Sequence, residues 1–175
     1  EGTIAIFPTA PFSAPKSGLD DETLGSFRKR LMELTSITGM TSRPQITIPK
    51  LKDKSGPVGL SLLGWKNSDE ILLNKPQNLD INFKEYVIAE DLLELCDAEV
   101  KNSFSNYLKF NLPPINKTRL SQHSKDFIAD NFRIIQAGEV KENIIPWIEK
   151  NKPNISSEIK NRIDMASKIT DIEVS

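Results

Sequence analysis

The side chains capable of chemistry are few and scattered. The chain has one histidine, His123, in a Ser-Gln-His-Ser stretch, and one cysteine, Cys96, beside Leu95. A metal centre needs three or four ligands in fixed geometry, so a single histidine reads as a solvated loop or helix-start residue. A thiol with no nearby histidine reads as a small buried hydrophobe. Two pairs of adjacent carboxylates, Asp20-Asp21 and Glu90-Asp91, stand at helix starts. Neighbouring residues point in different directions on a helix or strand, which suits capping better than general acid–base work. Trp65 and Trp147 are candidate pocket walls, although an aromatic at the end of an element usually serves packing. Gly-rich phosphate loops, Gly-x-Ser-x-Gly elbows and His-Glu-x-x-His patterns are absent from the sequence.

Composition narrows the class without naming a chemistry. The 175 residues suit one domain with a sizeable core, and 23 basic side chains nearly balance 24 acidic ones. That balance supplies no global pull toward nucleic acid or an anionic membrane. The lone cysteine excludes an internal disulfide and fits a reducing compartment. No apolar run approaches the roughly 20 residues of a membrane span, and the acidic start does not read as a signal peptide. The expectation is a soluble cytoplasmic chain with no metal or cofactor.

Hydrophobic periodicity then places the elements. Thr3–Phe7 is a short apolar run stopped by Pro8-Thr9-Ala10-Pro11, long enough for a buried strand and too short for a helix. Leu24, Phe27, Leu31, Leu34 and Ile37 recur at helical spacing, predicting an amphipathic helix from Asp21 to Thr38 that stops at Gly39, with Arg28, Lys29 and Arg30 on its solvated side. Gln45–Ile48, between Pro44 and Pro49, and Val58–Leu63 read as strands joined by a charged loop over 50–55, followed by a helix that Ser68 can cap. The polar stretch 74–82 reads as a connection, and Tyr86–Ala89 as another buried strand. Glu90–Leu95 is a brief helix or turn, Asp97 a cap for a helix to about Lys109, and Asn111–Leu120 a possible edge strand. The last third is helical, from Ser124 through Gly138 to Trp147 with Pro146 bending or ending the helix, and again from Ser156 to Ile169. Strands and helices in this order predict an α/β layered fold, a mixed sheet covered by helices.

Several weak motifs recur in one order and spacing. Pro8, Thr9 and Pro11 end the first strand, Pro44 and Pro49 bracket the second, Gly56-Pro57-Val58-Gly59-Leu60 opens the third, and Ser68-Asp69-Glu70-Ile71-Leu72-Leu73 follows as a helix. Together they resemble the C-terminal segment of amidase signature enzymes, in particular the indole-acetamide hydrolase-like amidases. Residues 86–97 and 132–169, including Gln136, Glu139 and Trp147-Ile148, resemble the central segment of the same family. The resemblance therefore implies a block at 1–73, a connection at 74–82 and a block at 83–175, together one compact domain with the two blocks in circularly permuted order. A break inside the helix that joins the blocks in the family would account for a start just before Ile4 and an end at Ser175.

The family's catalytic apparatus is a serine nucleophile, a second serine in a cis peptide and a lysine, with backbone amides that receive the oxyanion. These belong to the family's N-terminal portion, which nothing here resembles. Ser17-Gly18 and Ser55-Gly56 lack the accompanying glycines and second serine, and Lys50 and Lys52 lie in or beside the charged loop. The resemblance thus implies an amidase-derived scaffold with no catalytic residues, inactive alone. Two other readings stay open: one half of an amide hydrolase completed by a missing segment or second chain, and a remnant recruited as a binding module. The implied partners are that missing catalytic half or a second copy paired through an exposed sheet edge, with neither nucleic acid nor membrane. A surviving pocket would be rimmed by Thr9, Ala10 and Pro11, since ligands of α/β sheets gather beyond strand ends.

Overall fold

The computed structural model describes residues 2–73, 85–112 and 114–170. It divides into two compact units, Glu1–Lys125 and Asp126–Ser175. The first is α/β, as the strand and helix patterns predict. Its mixed five-stranded sheet contains β1 (Thr3–Pro8), β2 (Gln45–Lys52), β3 (Pro57–Leu63), β4 (Glu85–Ala89) and β5 (Asn116–Thr118), in the order β2-β3-β1-β4-β5. With it are α1 (Asp21–Thr41), α2 (Asp69–Leu73), α3 (Glu90–Leu93) and α4 (Ala98–Asn111).

The unbroken apolar run of β1 puts it at the centre. Ile4, Ile6 and Phe7 are wholly buried, as a strand covered on both faces requires. It pairs antiparallel with β3, Phe7 opposite Ser61, and parallel with β4, Ile6 opposite Ile88. Leu60, Leu62, Leu92, Val100 and Phe104 complete the core around it.

Strand β2 runs past Pro49 to Lys52, so Lys50 to Lys52 belong to the strand and not to the loop expected there. The pairing with β3 shifts between Ile48 and Leu51. At such an irregularity on an edge strand the missing proline N–H removes no ladder bond, and the strand resumes with Leu51 buried. The turn itself is Asp53 to Gly56, where the Asp53 carboxylate accepts from the amides of Ser55 (2.7 Å) and Gly56 (3.0 Å).

Helix α1 also outlasts its expected stop. Asp20 caps it, accepting from the Thr23 amide and hydroxyl, each at 2.8 Å. Gly39 lies inside the helix, and the left-handed residue that ends it is Ser42, φ 50°. Asp97 occupies the N-cap position of α4, but its side chain makes no capping bond because Arg30 engages it instead. Ser68 precedes α2 and accepts the Leu72 amide through its backbone, while its hydroxyl donates back to the Trp65 carbonyl at 2.7 Å. The edge strand expected within 111–120 forms over three residues only, because Asn111 closes α4. The 74–82 connection lies outside the described residues.

The second unit is helical. The helix α5 (Lys125–Glu139) continues through a π-helical turn (Val140–Ile144) into α6 (Ile145–Asn151), and α7 (Ser157–Ser167) follows. Pro146, in the first turn of α6, has no N–H to give. The Ile145 amide reaches five residues back to the Val140 carbonyl, so the helix changes register where the proline would interrupt it. Ser156 caps α7, accepting from the Ile159 amide at 3.4 Å.

Gly59 is required by the close approach of its neighbours. A Cβ there would overlap the Thr47 methyl and come within 2.7 Å of Thr9 Oγ1. Both obstacles are β-branched side chains with little rotamer freedom. Gly59→Ala is expected to cost about 1–3 kcal/mol, seen as a lower urea midpoint at unchanged m-value. An unchanged midpoint would contradict the packing described.

Candidate functional site

The parallel strands β1 and β4 end on the same side of the sheet, and two polar clusters form beyond those ends. The first begins at Thr9, directly after β1. Its amide donates to the Gly59 carbonyl (2.7 Å), which fixes the exit of the strand against β3. A line of side chains then crosses the sheet. The Thr38 hydroxyl donates to Gln45 Oε1 (2.6 Å), Gln45 Nε2 donates to Ser61 Oγ (2.7 Å), Ser61 and Thr9 share a bond of 2.7 Å, and Thr9 donates to Thr47 Oγ1 at 3.3 Å. Because Ser61 accepts from Gln45 and Thr9 donates to Thr47, the Ser61 proton is directed to Thr9. All four donors thus point the same way, from α1 toward the exposed Thr47.

Of the expected pocket rim, Thr9 and Ala10 are half-buried while Pro11 is fully buried. The Pro11 carbonyl accepts the Asp97 amide at 2.8 Å. Phe12 meets Phe27 edge-on, with ring centroids 4.7 Å apart, and lies beneath the Arg30 guanidinium at 5.1 Å. Arg30 in turn donates to the Leu95 carbonyl (3.2 Å) and to Asp97 (2.6 Å). The segment after β1 is therefore tied to both α1 and the start of α4.

The second cluster follows β4. Asp91, in the first turn of α3, is almost wholly buried and forms an ion pair with Lys125. It also accepts the amides of Leu120 and Ser121, each at 3.2 Å. Burial would raise the Asp91 carboxyl, but the Lys125 ammonium and the two amides outweigh it and hold the pKa below the ordinary carboxylate value. Around it Glu90 pairs with Lys117 at 3.0 Å, and Glu94 grips Arg119 with both oxygens, at 2.9 and 3.0 Å. The Arg119 guanidinium accordingly lowers the Glu94 pKa.

These clusters hold, orient and neutralise. The first has hydroxyls and a carboxamide but no base able to take a serine proton, and in the second both lysines, Lys117 and Lys125, are committed to carboxylates. Cys96 is buried with its thiol toward the Leu92 carbonyl, and burial pushes its pKa up to about 12, leaving it a packing residue. His123 is exposed in the loop before α5, where its backbone amide donates to Ser121 Oγ. Trp65 packs against the core of the first unit, while Trp147 is exposed on α6 in the second. Among the described residues no group of three or more His, Cys, Asp or Glu side chains could hold a metal ion, and no helix is long and apolar enough to cross a membrane.

The buried pair of Asp91 and Lys125 and the hydroxyl line have no sequence signature. Their members lie 34 and up to 52 residues apart. The available signals were weaker: an acid beside the apolar Leu92-Leu93 pair, and a serine, Ser61, at a buried position of an otherwise apolar strand.

Over part of its length the chain is similar to known proteins. It is 37% identical over 78 residues to "Amidase 1" of Oryza sativa subsp. japonica, covering 45% of this chain and 18% of that protein. It is 29% identical over 83 residues to "Outer envelope protein 64, chloroplastic" of Arabidopsis thaliana, covering 47% of this chain and 14% of that protein. The chain spans less than a fifth of the length of either relative. No family profile matches it, and no solved structure does. The relationship is amidase-like and partial.

Asp91→Asn is expected to cost about 2–3 kcal/mol, since it leaves Lys125 without its counter-ion. With a folded pKa below the unfolded one, the ionised Asp91 stabilises fully above the ordinary value of 3.8, and this contribution is lost as pH falls through the folded pKa. The difference between wild type and variant in urea denaturation should therefore shrink as pH is lowered below about 4. A difference independent of pH would contradict the assignment.

Proposed function

We propose that this chain is an amidase-derived α/β scaffold that lacks the Ser-Ser-Lys catalytic set and is catalytically silent by itself. The observation that carries the reading is the state of Ser61, the buried hydroxyl on the sheet next to the end of β1. Its partners are the Thr9 hydroxyl and the Gln45 carboxamide, both neutral, so nothing there can activate it as a nucleophile. The similarity to a rice amidase over 78 residues supports the descent. In this reading residues 1–73 correspond to the family's C-terminal segment and residues 83–175 to its central segment, in permuted order around the 74–82 connection. Thr9, Ala10 and Pro11 are what remains of a substrate rim, with Thr9 able to offer a hydroxyl and Pro11 serving as its buried support.

A second reading, in which a separate catalytic half completes an amide hydrolase, draws on the same similarity to the rice amidase. Both are tested by incubating the full chain with indole-3-acetamide and benzamide and measuring ammonia. The expected release by the chain alone is indistinguishable from background, since loss of one member of a catalytic triad already costs a factor of about 10⁴. Turnover by the chain alone would overturn the scaffold reading. Turnover only after addition of an amidase N-terminal fragment carrying the serines and lysine would establish the second.

A further inference from the structure

The sheet ends at β2, and the outward side of that strand is only partly used. Its phase is set by the Gly64 amide, which donates to the Pro44 carbonyl at 3.0 Å. Ile46 then stands opposite Leu62 and Ile48 opposite Leu60, and these alternate residues turn their amides and carbonyls to β3. The residues between them and before them, Thr47 and Gln45, turn theirs away from the sheet. Among the described residues no hydrogen bond reaches those outward amides and carbonyls. Past the irregularity the pairing resumes with Leu51 opposite Val58, and the outward amide of Lys52 donates to Ser103 Oγ of α4 at 3.4 Å, which closes the edge there. The open stretch is thus Gln45–Ile48, bounded by Pro44 and Pro49, which have no N–H to offer.

Charge selects what this edge takes. Residues 42–52 contain three basic side chains, Arg43, Lys50 and Lys52, all exposed, and no acid. Arg43 lies before the open stretch and the two lysines lie after it, and among the described residues none of the three has an acidic partner. Two copies pairing antiparallel along this stretch would set Arg43 of each against the Lys50 end of the other, like charge beside like charge. A strand with carboxylates at alternate positions meets the opposite condition. We propose that the outer edge of β2 at Gln45–Ile48 is a docking site for an extended acidic peptide of another protein, which adds a sixth strand to the five-stranded sheet. Gln45 and Thr47 each give it an amide and a carbonyl, and Arg43, Lys50 and Lys52 receive its carboxylates. Because those charges are exposed, the complex weakens as salt is added.

Amide hydrogen exchange of the full chain, read by NMR, tests this with a synthetic N-acetylated peptide, Glu-Val-Glu-Val-Glu-Val-Glu. In the free chain the Gln45 and Thr47 amides should exchange fast beside slow Ile46 and Ile48 amides. Saturating peptide should slow Gln45 and Thr47 about tenfold or more. The same peptide N-methylated throughout keeps its carboxylates but has no N–H to give, and should protect neither residue. Lys50→Glu combined with Lys52→Glu should weaken binding of the acidic peptide about tenfold, with Ile46 and Ile48 still protected as the control for folding. The proposal is overturned if Gln45 and Thr47 are already protected in the free chain or if the acidic peptide leaves them fast. It is equally overturned if the N-methylated peptide, or one with lysine in place of glutamate, protects them as well.

Discussion

The packing of β1 between β3 and β4 is the constraint on which the first unit depends. Both faces of this strand are covered, and both ladders use its backbone, so every residue from Ile4 to Phe7 is fixed in register and in direction. A slip of one residue would place Ile4 and Ile6 where Ala5 and Phe7 stand and would break the fit to Leu60 and Leu62 at once. β1 thus has an antiparallel neighbour on one side and a parallel one on the other. Residues 9–56 return the chain antiparallel through α1 and the β2–β3 hairpin, whereas β4 lies parallel on the other side of β1.

Outside that apolar centre, polar groups decide where the chain goes. The hydroxyl line from Thr38 to Thr47 secures the end of β1 to β2 and β3, and its geometry is possible only because Gly59 has no side chain beneath the meeting point of Thr9 and Thr47. Arg30 does the same for the next residues, stacking on Phe12 while it bonds Leu95 and Asp97. On the other flank, edge strand β5 is too short for its ladder to matter much, and the charges of α3 recruit it. Exposed ion pairs are each worth about 0–1 kcal/mol, so Asp91, itself buried and bonded to Lys125 and to two amides, is the member of that set whose loss residues 116–125 would feel most.

Much of this architecture was legible because its signals are local. The apolar run at Thr3–Phe7, the helical stripe from Leu24 to Ile37 and the Ser156 cap each depend on a few neighbouring residues, and each produced the expected element. The errors fall where a longer-range partner overrode a local signal. Gly39 is a weak stop beside a left-handed Ser42, Pro49 is tolerated because the ladder shifts around it, and Asp97 turns from its own helix to Arg30. The π-helical turn before Pro146 was visible only as a bend. Neither Asp91–Lys125 nor the Thr9–Ser61 contact could be found without the fold, because nothing in the intervening residues marks the partners.

The chain thus combines partial similarity to a rice amidase with a sheet whose polar groups are bonded to one another. With both faces and both edges of β1 engaged, the opening of this strand requires the first unit to open. Native-state hydrogen exchange read by NMR tests this most directly. The account predicts that the Ile4 to Phe7 amides exchange only through global unfolding, with the same free energy and the same denaturant dependence as the urea transition, while the Asn116 to Thr118 amides exchange through smaller openings. Exchange of the β1 amides as fast as those of β5 would contradict it.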